Sequence, residues 1–297
     1  MRILQLSDTH LGVRSRPPTG APPGWSRADD HRLAFDRALA LADDVDLVVH
    51  TGDLFDRSRP PRKAAEEAIA ALGAVARRVP VIVLRGNHDR RGLHRNIPSL
   101  PNLRVVDTAE RIDIGGFILG AVPHFYSGDG WAAAARIAEG ADLLIAHQSF
   151  EGSRVPGFRF RVGTPHETVG EQHLPSGVRT IATGHLHPRQ VVQLGDATIV
   201  HCGSTERTSF TERLQTKGVV RWTFGAAAEW EMIDLPSRAM AVVTDASDLA
   251  RVAPGTLVRA VDPQLEHEAV ARGGWVYEHV ERPFVVRPAE AQVALPM

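Results

Sequence analysis

Five apolar, β-rich segments of this chain end in the same way, each running straight into Asp, Asn or His. ILQLS leads to Asp8-Thr-His10, DLVVHTG to Asp53, VPVIVLRG to Asn87-His88-Asp89, DLLIA to His147, and VRTIATG to His185-Leu-His187. Each ending alone has a bland reading: Gly-Asp and Gly-Asn are turn formers, and a lone His after a strand is more often a satisfied core residue than a ligand. Together they constrain the fold. Buried strands that deliver Asp, Asn and His to one rim without partners would cost several kcal/mol in desolvation, so the rim must hold something that pairs with them.

Between the early segments lie two helix-like stretches, Ala28 to Ala42, with Leu33, Leu39 and Leu41 among its apolar positions, and Lys63 to Arg77, rich in Ala and Glu. Strand alternating with helix predicts an α/β chain with a largely parallel sheet, in which ligands bind outside the carboxyl ends of the strands. After residue 103 the pattern is more purely β: LRVVD, RIDIGGFILGAV, QVVQLGDATIVHC, VVRWTF and WEMIDL read as a second sheet packed on the first, with Gly-Gly and Gly-Asp at hairpin turns. The loop from Gly12 to Gly24 and the segment from Glu151 to Gly177 are too long for simple connections and are candidate functional loops. LPSR at 235–238 marks a boundary between residues 1–235 and a tail, 236–297, that holds one helix-like stretch, Pro263 to Ala271, and is too small for an independent core.

Composition narrows the chemistry. Among the 297 residues no apolar run reaches the length of a membrane span, and strand-like MRILQLS at the start leaves no room for a signal peptide, so no membrane contact and a cytoplasmic location are expected. Cys202 is the only cysteine, which excludes disulfides within the chain and thiolate metal cages. A net charge of −1 gives no global basic field, so any nucleic-acid contact must be local. The basic residues are almost all Arg, with Lys only at 63 and 217, which reads as codon usage before phosphate recognition. Asp8, His10, Asp53, Asn87, His147, His185 and His187 offer oxygen and nitrogen donors without sulfur, a set that suits Mn²⁺, Fe²⁺ or Zn²⁺. Seven donors are too many for one ion. Two divalent ions about 3.5–4 Å apart and sharing a carboxylate fit better, with Asp53, on the middle early strand, as the bridge.

In this order, Asp8-x-His10, Gly52-Asp53-x-x-Asp56, Gly86-Asn87-His88-Asp89, His147 and Gly184-His185-x-His187 resemble the motifs of the calcineurin-like metallophosphoesterases. The resemblance implies a four-layer αββα sandwich, with one metal held by Asp8, His10, Asp53 and His187 and the other by Asp53, Asn87, His147 and His185. It also implies that His88 faces the substrate and protonates the leaving oxygen, with Asp89 orienting its imidazole. A narrower likeness comes from GDLFD, from AHQSFEG at 146–152, and from CGSTERTSFTE at 202–212 followed by Lys217-Gly218. These are similar to the DNA-repair nuclease branch, the SbcD-like proteins and their archaeal and eukaryotic counterparts. That branch implies Mn²⁺-dependent exonuclease or endonuclease cutting of DNA, a homodimer and an SMC-type ATPase partner; its usual capping domain is here reduced to the short tail. The alternative for the same site is a phosphodiesterase or phosphatase acting on nucleotides or other small phosphoesters. Arg14, Arg16, Arg85, Arg90, Arg91, Arg95, Arg154, Arg159 and Arg161 are the expected DNA contacts. His50, His201 and Cys202 are read as structural, as is His124, whose VPHF segment leaves a place near the metals open.

Overall fold

The structure, a computed structural model, describes residues 1–154 and 166–277, so the expected DNA contacts Arg159 and Arg161 lie outside the described residues. The chain opens with β1 (Arg2–Leu6), α1 (Arg27–Leu39), β2 (Leu47–His50), α2 (Arg62–Ala76), β3 (Val81–Leu84), α3 (Leu93–Asn96) and β4 (Leu103–Val106). It continues through β5 (Glu110–Ile114), β6 (Phe117–Val122), α4 (Gly128–Ala135), β7 (Leu143–His147), β8 (Thr180–Gly184), β9 (Gln190–Leu194) and β10 (Ala197–His201). The last elements are β11 (Lys217–Phe224), β12 (Ala228–Leu235), β13 (Met240–Val243), β14 (Leu257–Ala260), α5 (Pro263–Ala271) and β15 (Trp275–Val276).

Two six-stranded sheets form the larger unit, in the orders β12-β11-β1-β2-β3-β4 and β5-β6-β7-β8-β10-β9. Strands β1 to β4 are mutually parallel, as are β6, β7, β8 and β10. That is why LVVH, VIVL and LLIAH read as unbroken apolar runs: both faces of these strands are covered. Ile3, Val49, Leu119, Ile145 and Trp222 belong to the apolar layer between the sheets. Phe35 and Leu39 of α1 and Leu72 and Val75 of α2 cover the outer face of the first sheet, and Trp131 of α4 belongs to the core on the outer face of the second. The fold is an αββα sandwich.

Several sequence expectations change. β4, β11 and β12, expected in the second sheet, belong to the first: β4 extends the parallel run beside β3, while β11 returns antiparallel to β1. Pattern marks a strand but not its neighbour, and this long-range closure is decided by which edge remains open. Leu33 lies on the solvent side of α1, 47% exposed, because the core-facing stripe runs through Ala34, Phe35, Ala38 and Leu39. Helix α4, not anticipated, begins where Ser127 Oγ accepts from Gly130 N (3.2 Å). The chain separates into one unit of residues 1–17 with 22–240 and another of 18–21 with the chain from 241 on, so the division falls five residues beyond the expected one. The smaller unit does have a core, in which Val243, Leu249, Val258, Ala269 and Val276 cluster around the β13-β14-β15 sheet and α5. Thr19 joins it by exchanging backbone hydrogen bonds with Val276 (2.7 and 2.9 Å). Among the described residues no helix is long and apolar enough to cross a membrane.

One polar residue ties the two sheets together beneath the rim. Gln5, fully buried on β1, donates to Thr51 Oγ1 and to the carbonyl of Thr183 on β8, both at 3.2 Å, and accepts from Trp222 Nε1 at 2.9 Å. Gln5→Leu keeps the volume but orphans the Trp222 N–H. It is therefore expected to lower the unfolding free energy by about 2 kcal/mol, read as a drop in urea midpoint at constant slope.

Candidate metal centre

The carboxyl ends of β1, β2, β3, β7 and β8 lie at one edge of the sandwich, and the loops that leave them carry the donors. The local backbone is bent to aim them inward. Asp8, His10, Asp53 and His185 all have positive φ (50, 46, 55 and 80°), four of the six such non-glycine residues described. Strain of this kind persists only where the surroundings over-determine it, and here it turns side chains into a common space. The glycines before the donors have a different job from turn-making. A Cβ on Gly52 would collide with the His147 ring, one on Gly86 with Asp53, and one on Gly184 with Ser7.

The donors meet as expected. Asp8, His10 and His187 place ligand atoms within 4.8 Å of one another, and so do Asp8, Asp53 and His147. Asn87 Oδ1 lies 3.0 Å from His147 Nε2 and 2.9 Å from His185 Nδ1, and His147 Nε2 is 3.5 Å from Asp53 Oδ2. Asp53 therefore stands between the two groups, 3.9 Å from His10 Nε2 on its other side.

The hydrogen-bond pattern tests whether metal ions fit. Thr51 O accepts from His147 Nδ1 (2.7 Å), so a neutral ring keeps its lone pair on Nε2, facing the oxygens of Asn87 and Asp53. Likewise the Glu212 carboxylate accepts from His187 Nδ1 (2.9 Å), which leaves the His187 Nε2 lone pair facing His10 Nε2 at 3.1 Å. Acceptor meets acceptor in the first place and ring nitrogens converge in the second, an arrangement that calls for a proton or a metal cation between them. Electrostatics agree. Burial disfavours an imidazolium at His147, yet Asp53 and Asp8 push its pKa up to about 9. Burial alone would raise the Asp53 carboxyl, but His147, then His10 and His88, hold it well below the usual carboxylate range. Asp8 is raised, burial outweighing His147 and His187, and burial drives His10 and His185 well below the ordinary histidine range. The pocket is thus a place of two carboxylates and converging lone pairs in which, among the described residues, positive charge can come only from protonated histidines, and the residues present suit a pair of divalent ions with nitrogen and oxygen ligands.

His88 and Asp89, adjacent in sequence, diverge. His88 is at the mouth, its side chain 43% exposed, with Nε2 4.0 Å from Asp53 Oδ2 and its ring edge-on to His10. Its Nδ1 donates to the carbonyl of Asp56 (2.8 Å), so the expected orienter, Asp89, does not hold it. Asp89 points inward instead, accepting from the backbone N–H groups of Phe55 (3.0 Å), Gly86 (3.0 Å) and Leu54 (3.3 Å). It latches the β2 and β3 loops together.

The arginines are a mixed set. Arg14, Arg16, Arg90, Arg95 and Arg154 are exposed. Arg85 is not a free contact: its guanidinium donates to the carbonyls of Asp107 (3.2 Å) and His124 (3.0 Å). Of Arg91 only the backbone is described. His124 lies beside the donors, its ring 5.2 Å from that of His185, with both nitrogens buried and unpartnered. His50, His201 and Cys202 are buried as expected, the two histidines on Thr9 Oγ1 (3.0 Å) and Ser153 Oγ (2.9 Å). The residues not foreseen are those behind His187, namely Thr208, Glu212 and Lys217. The only trace of them in the sequence is their place in the segment 202–212 and in Lys217-Gly218, which says nothing of their burial or pairing.

The sequence profile described as calcineurin-like phosphoesterase matches residues 1–189. The DNA double-strand break repair protein Mre11 of Thermoplasma acidophilum is 29% identical over 238 residues, covering 70% of this chain and 57% of its own length. The protein of the same name from Sulfurisphaera tokodaii is 38% identical over 221 residues, covering 67% of this chain and 52% of its own length. That of Methanosarcina mazei is 26% identical over 261 residues, covering 82% and 40%. The chain spans about half the length of the relatives it matches.

The split between His88 and Asp89 can be measured without any assay of activity. Asp89→Ala should cost about 2–3 kcal/mol in chemical denaturation because it strips a carboxylate from buried N–H donors, whereas His88→Ala should stay within about 0.5 kcal/mol of the parent.

Proposed function

The chain belongs to the calcineurin-like phosphoesterase family, and we propose that it is a metal-dependent nuclease that hydrolyses DNA phosphodiester bonds in repair. One observation carries the chemistry: seven nitrogen and oxygen donors from five strand ends converge on a space bounded by Asp8 and Asp53. In this reading Asp8, His10, Asp53 and His187 hold one ion, Asp53, Asn87, His147 and His185 hold the other, and Mn²⁺ is the preferred metal. Bound ions would supply Lewis-acid activation of water and neutralisation of phosphoryl charge.

The residues of the chain then divide the remaining work. His88, anchored through Nδ1 on the Asp56 carbonyl, keeps Nε2 at the mouth, where its protonated form can hand a proton to the leaving oxygen. The substrate class is supported by the Gly-Ser-x-Glu-Arg-x-Ser-Phe segment at 203–210 and by relatives named for double-strand break repair. Exposed Arg14, Arg16, Arg90 and Arg95 on the loops after β1 and β3 can follow a phosphate backbone. Tyr126, 59% exposed on the loop after β6 with its ring against His124 (4.7 Å), offers an aromatic surface on which a base can stack. A homodimer and an SMC-type ATPase partner belong to the same proposal, as does a place in the cytoplasm.

His88→Asn should retain two Mn²⁺ ions by elemental analysis while losing roughly 10²- to 10⁴-fold in turnover, whereas Asp53→Asn should disturb both ions. Wild-type turnover in a metal-loaded His88→Asn protein would remove the assigned role. Cleavage of single-stranded DNA should fall with added salt, with a log-log slope of about −0.7 per phosphate contact. Hydrolysis of bis-nitrophenyl phosphate, which makes none of those contacts, should vary little over the same range. Efficient turnover of a nucleotide or other small phosphoester, with no cutting of DNA under any metal condition, would replace the nuclease reading with a small-molecule phosphodiesterase.

A further inference from the structure

The loop between β10 and β11 and the first residue of β11 contribute no atom to the clusters of metal-type donors found among the described residues, yet they hold three buried charged side chains, Glu206, Glu212 and Lys217. Lys217 is fully buried. Its ammonium pairs with Glu212 Oε2 (2.7 Å) and donates to Ser204 Oγ (2.8 Å), Gln215 Oε1 (2.9 Å) and the carbonyl of His187 (3.2 Å). Glu212, 3% exposed, takes Thr208 Oγ1 (2.6 Å) and His187 Nδ1 (2.9 Å) on Oε1, and Thr208 N (3.1 Å) on Oε2. A second buried carboxylate, Glu206, ties the same loop to itself by accepting from Arg207 N (2.7 Å).

A buried ion pair is weak evidence for stability, because well-packed apolar residues of the same volume usually serve as well or better. Its presence here calls for a task that apolar residues cannot perform. The task visible in the geometry is at His187. A carboxylate can only accept, so the proton of a neutral His187 is confined to Nδ1 and its lone pair to Nε2, the atom that faces His10. Thr208 Oγ1, also near Nδ1 (3.1 Å), donates its own hydrogen to Glu212 Oε1 (2.6 Å) and so turns a lone pair to the ring; without the carboxylate that hydroxyl is free to turn, and the Nε2–H tautomer, which would present an N–H to the site, can compete.

We infer that Glu212, kept charged and in place by Lys217 and Thr208, is a positioning residue that fixes the tautomer and ring orientation of His187 for the ion on the His10 side. The inference rests on the metal reading of the site and leaves the second ion, on the side of Asn87, His147 and His185, untouched. It also gives the 203–217 segment a physical role: this stretch is the clamp behind one metal ligand, and DNA contact is not required to explain it.

The test uses the full chain, stripped of metal and titrated with Mn²⁺ in a calorimeter. Removing a partner of this kind costs about 10- to 100-fold in metal affinity. Glu212→Met should therefore weaken one of the two binding steps by that factor and spare the other, and the weakened step should be the one lost in His187→Ala and not the one lost in Asn87→Ala. Glu212→Gln, which keeps an acceptor oxygen for Nδ1–H, should restore most of the loss and serves as the second variant if Glu212→Met folds poorly. Histidine-selective ¹⁵N spectra of the metal-free protein, recorded at alkaline pH where the ring is neutral, should show a single Nδ1–H tautomer for His187 in the parent and a mixture in Glu212→Met. Equal weakening of both steps in folded Glu212→Met, or no weakening of either, would overturn the inference. Failure of the parent itself to bind a second ion would instead overturn the two-metal reading.

Discussion

Two buried carboxylates, Asp8 and Asp53, face a wall of imidazole nitrogens, and much of the structure around them exists to make that bearable. Among the described residues neither carboxylate is paired with a lysine or arginine; the histidines that act on them are His147 and His187 at Asp8 and His147, His10 and His88 at Asp53. Such a site has three ways to settle its charge: protonate a histidine, protonate a carboxylate, or admit a cation. His147, raised to about 9 by Asp53 and Asp8 against the effect of burial, shows which sign the pocket lacks. The converging lone pairs show that a metal suits it better than a proton, because one proton can serve only one pair of acceptors.

The rest of the larger unit can be understood as support for that arrangement. Parallel strands bring five chain ends to one edge, but a strand end by itself points side chains along the strand, and the positive φ values of Asp8, His10, Asp53 and His185 are what turn them in. Holding that strain requires fixed neighbours. Gln5 locks the two sheets together below the rim, Asp89 latches the β2 and β3 loops by three backbone N–H groups, and Thr9, His50 and His31 brace the β1 loop through Thr9 Oγ1 and its carbonyl. Glu212 and Lys217 brace His187 in the same sense, with charge added. These supporting groups are polar and almost entirely buried, and each is held by at least one specific partner, so each tolerates little substitution.

The mouth of the site is built on a different principle. His88 and Tyr126 and most of the described arginines are exposed and are held by few contacts, the His88 ring by one carbonyl at Asp56. A rigid interior and a lightly tethered rim suit the proposed reaction, in which ions would sit still while a long polyanion comes and goes. Phosphate contacts of that kind act through charge and can be made by several side chains, whereas the ion site depends on tenths of an ångström.

The sequence by itself determined the parts that depend on residue type and short spacing. Unbroken apolar runs ending in Asp, Asn or His gave the parallel strands, their common rim and all the donors, since only a charged or metal-binding site justifies polar groups at the ends of buried strands. It could equally exclude disulfides within the chain and a thiolate metal cage, there being no second thiol. Tertiary structure decided what depends on partners far away in the chain. Whether β11 pairs with β1 or with the second sheet rests on a contact across more than two hundred residues, which no local pattern encodes. His88 and Asp89 are neighbours whose sequence context is the same, yet one faces solvent and the other the Leu54 and Phe55 backbone, because a turn alternates direction at each residue. In the sequence Lys217 stands out only as one of two lysines and as part of Lys217-Gly218; its burial against Glu212 is a finding of the structure. The pair could not be read from the sequence, because nothing in a charge's residue type says whether water or a carboxylate will solvate it.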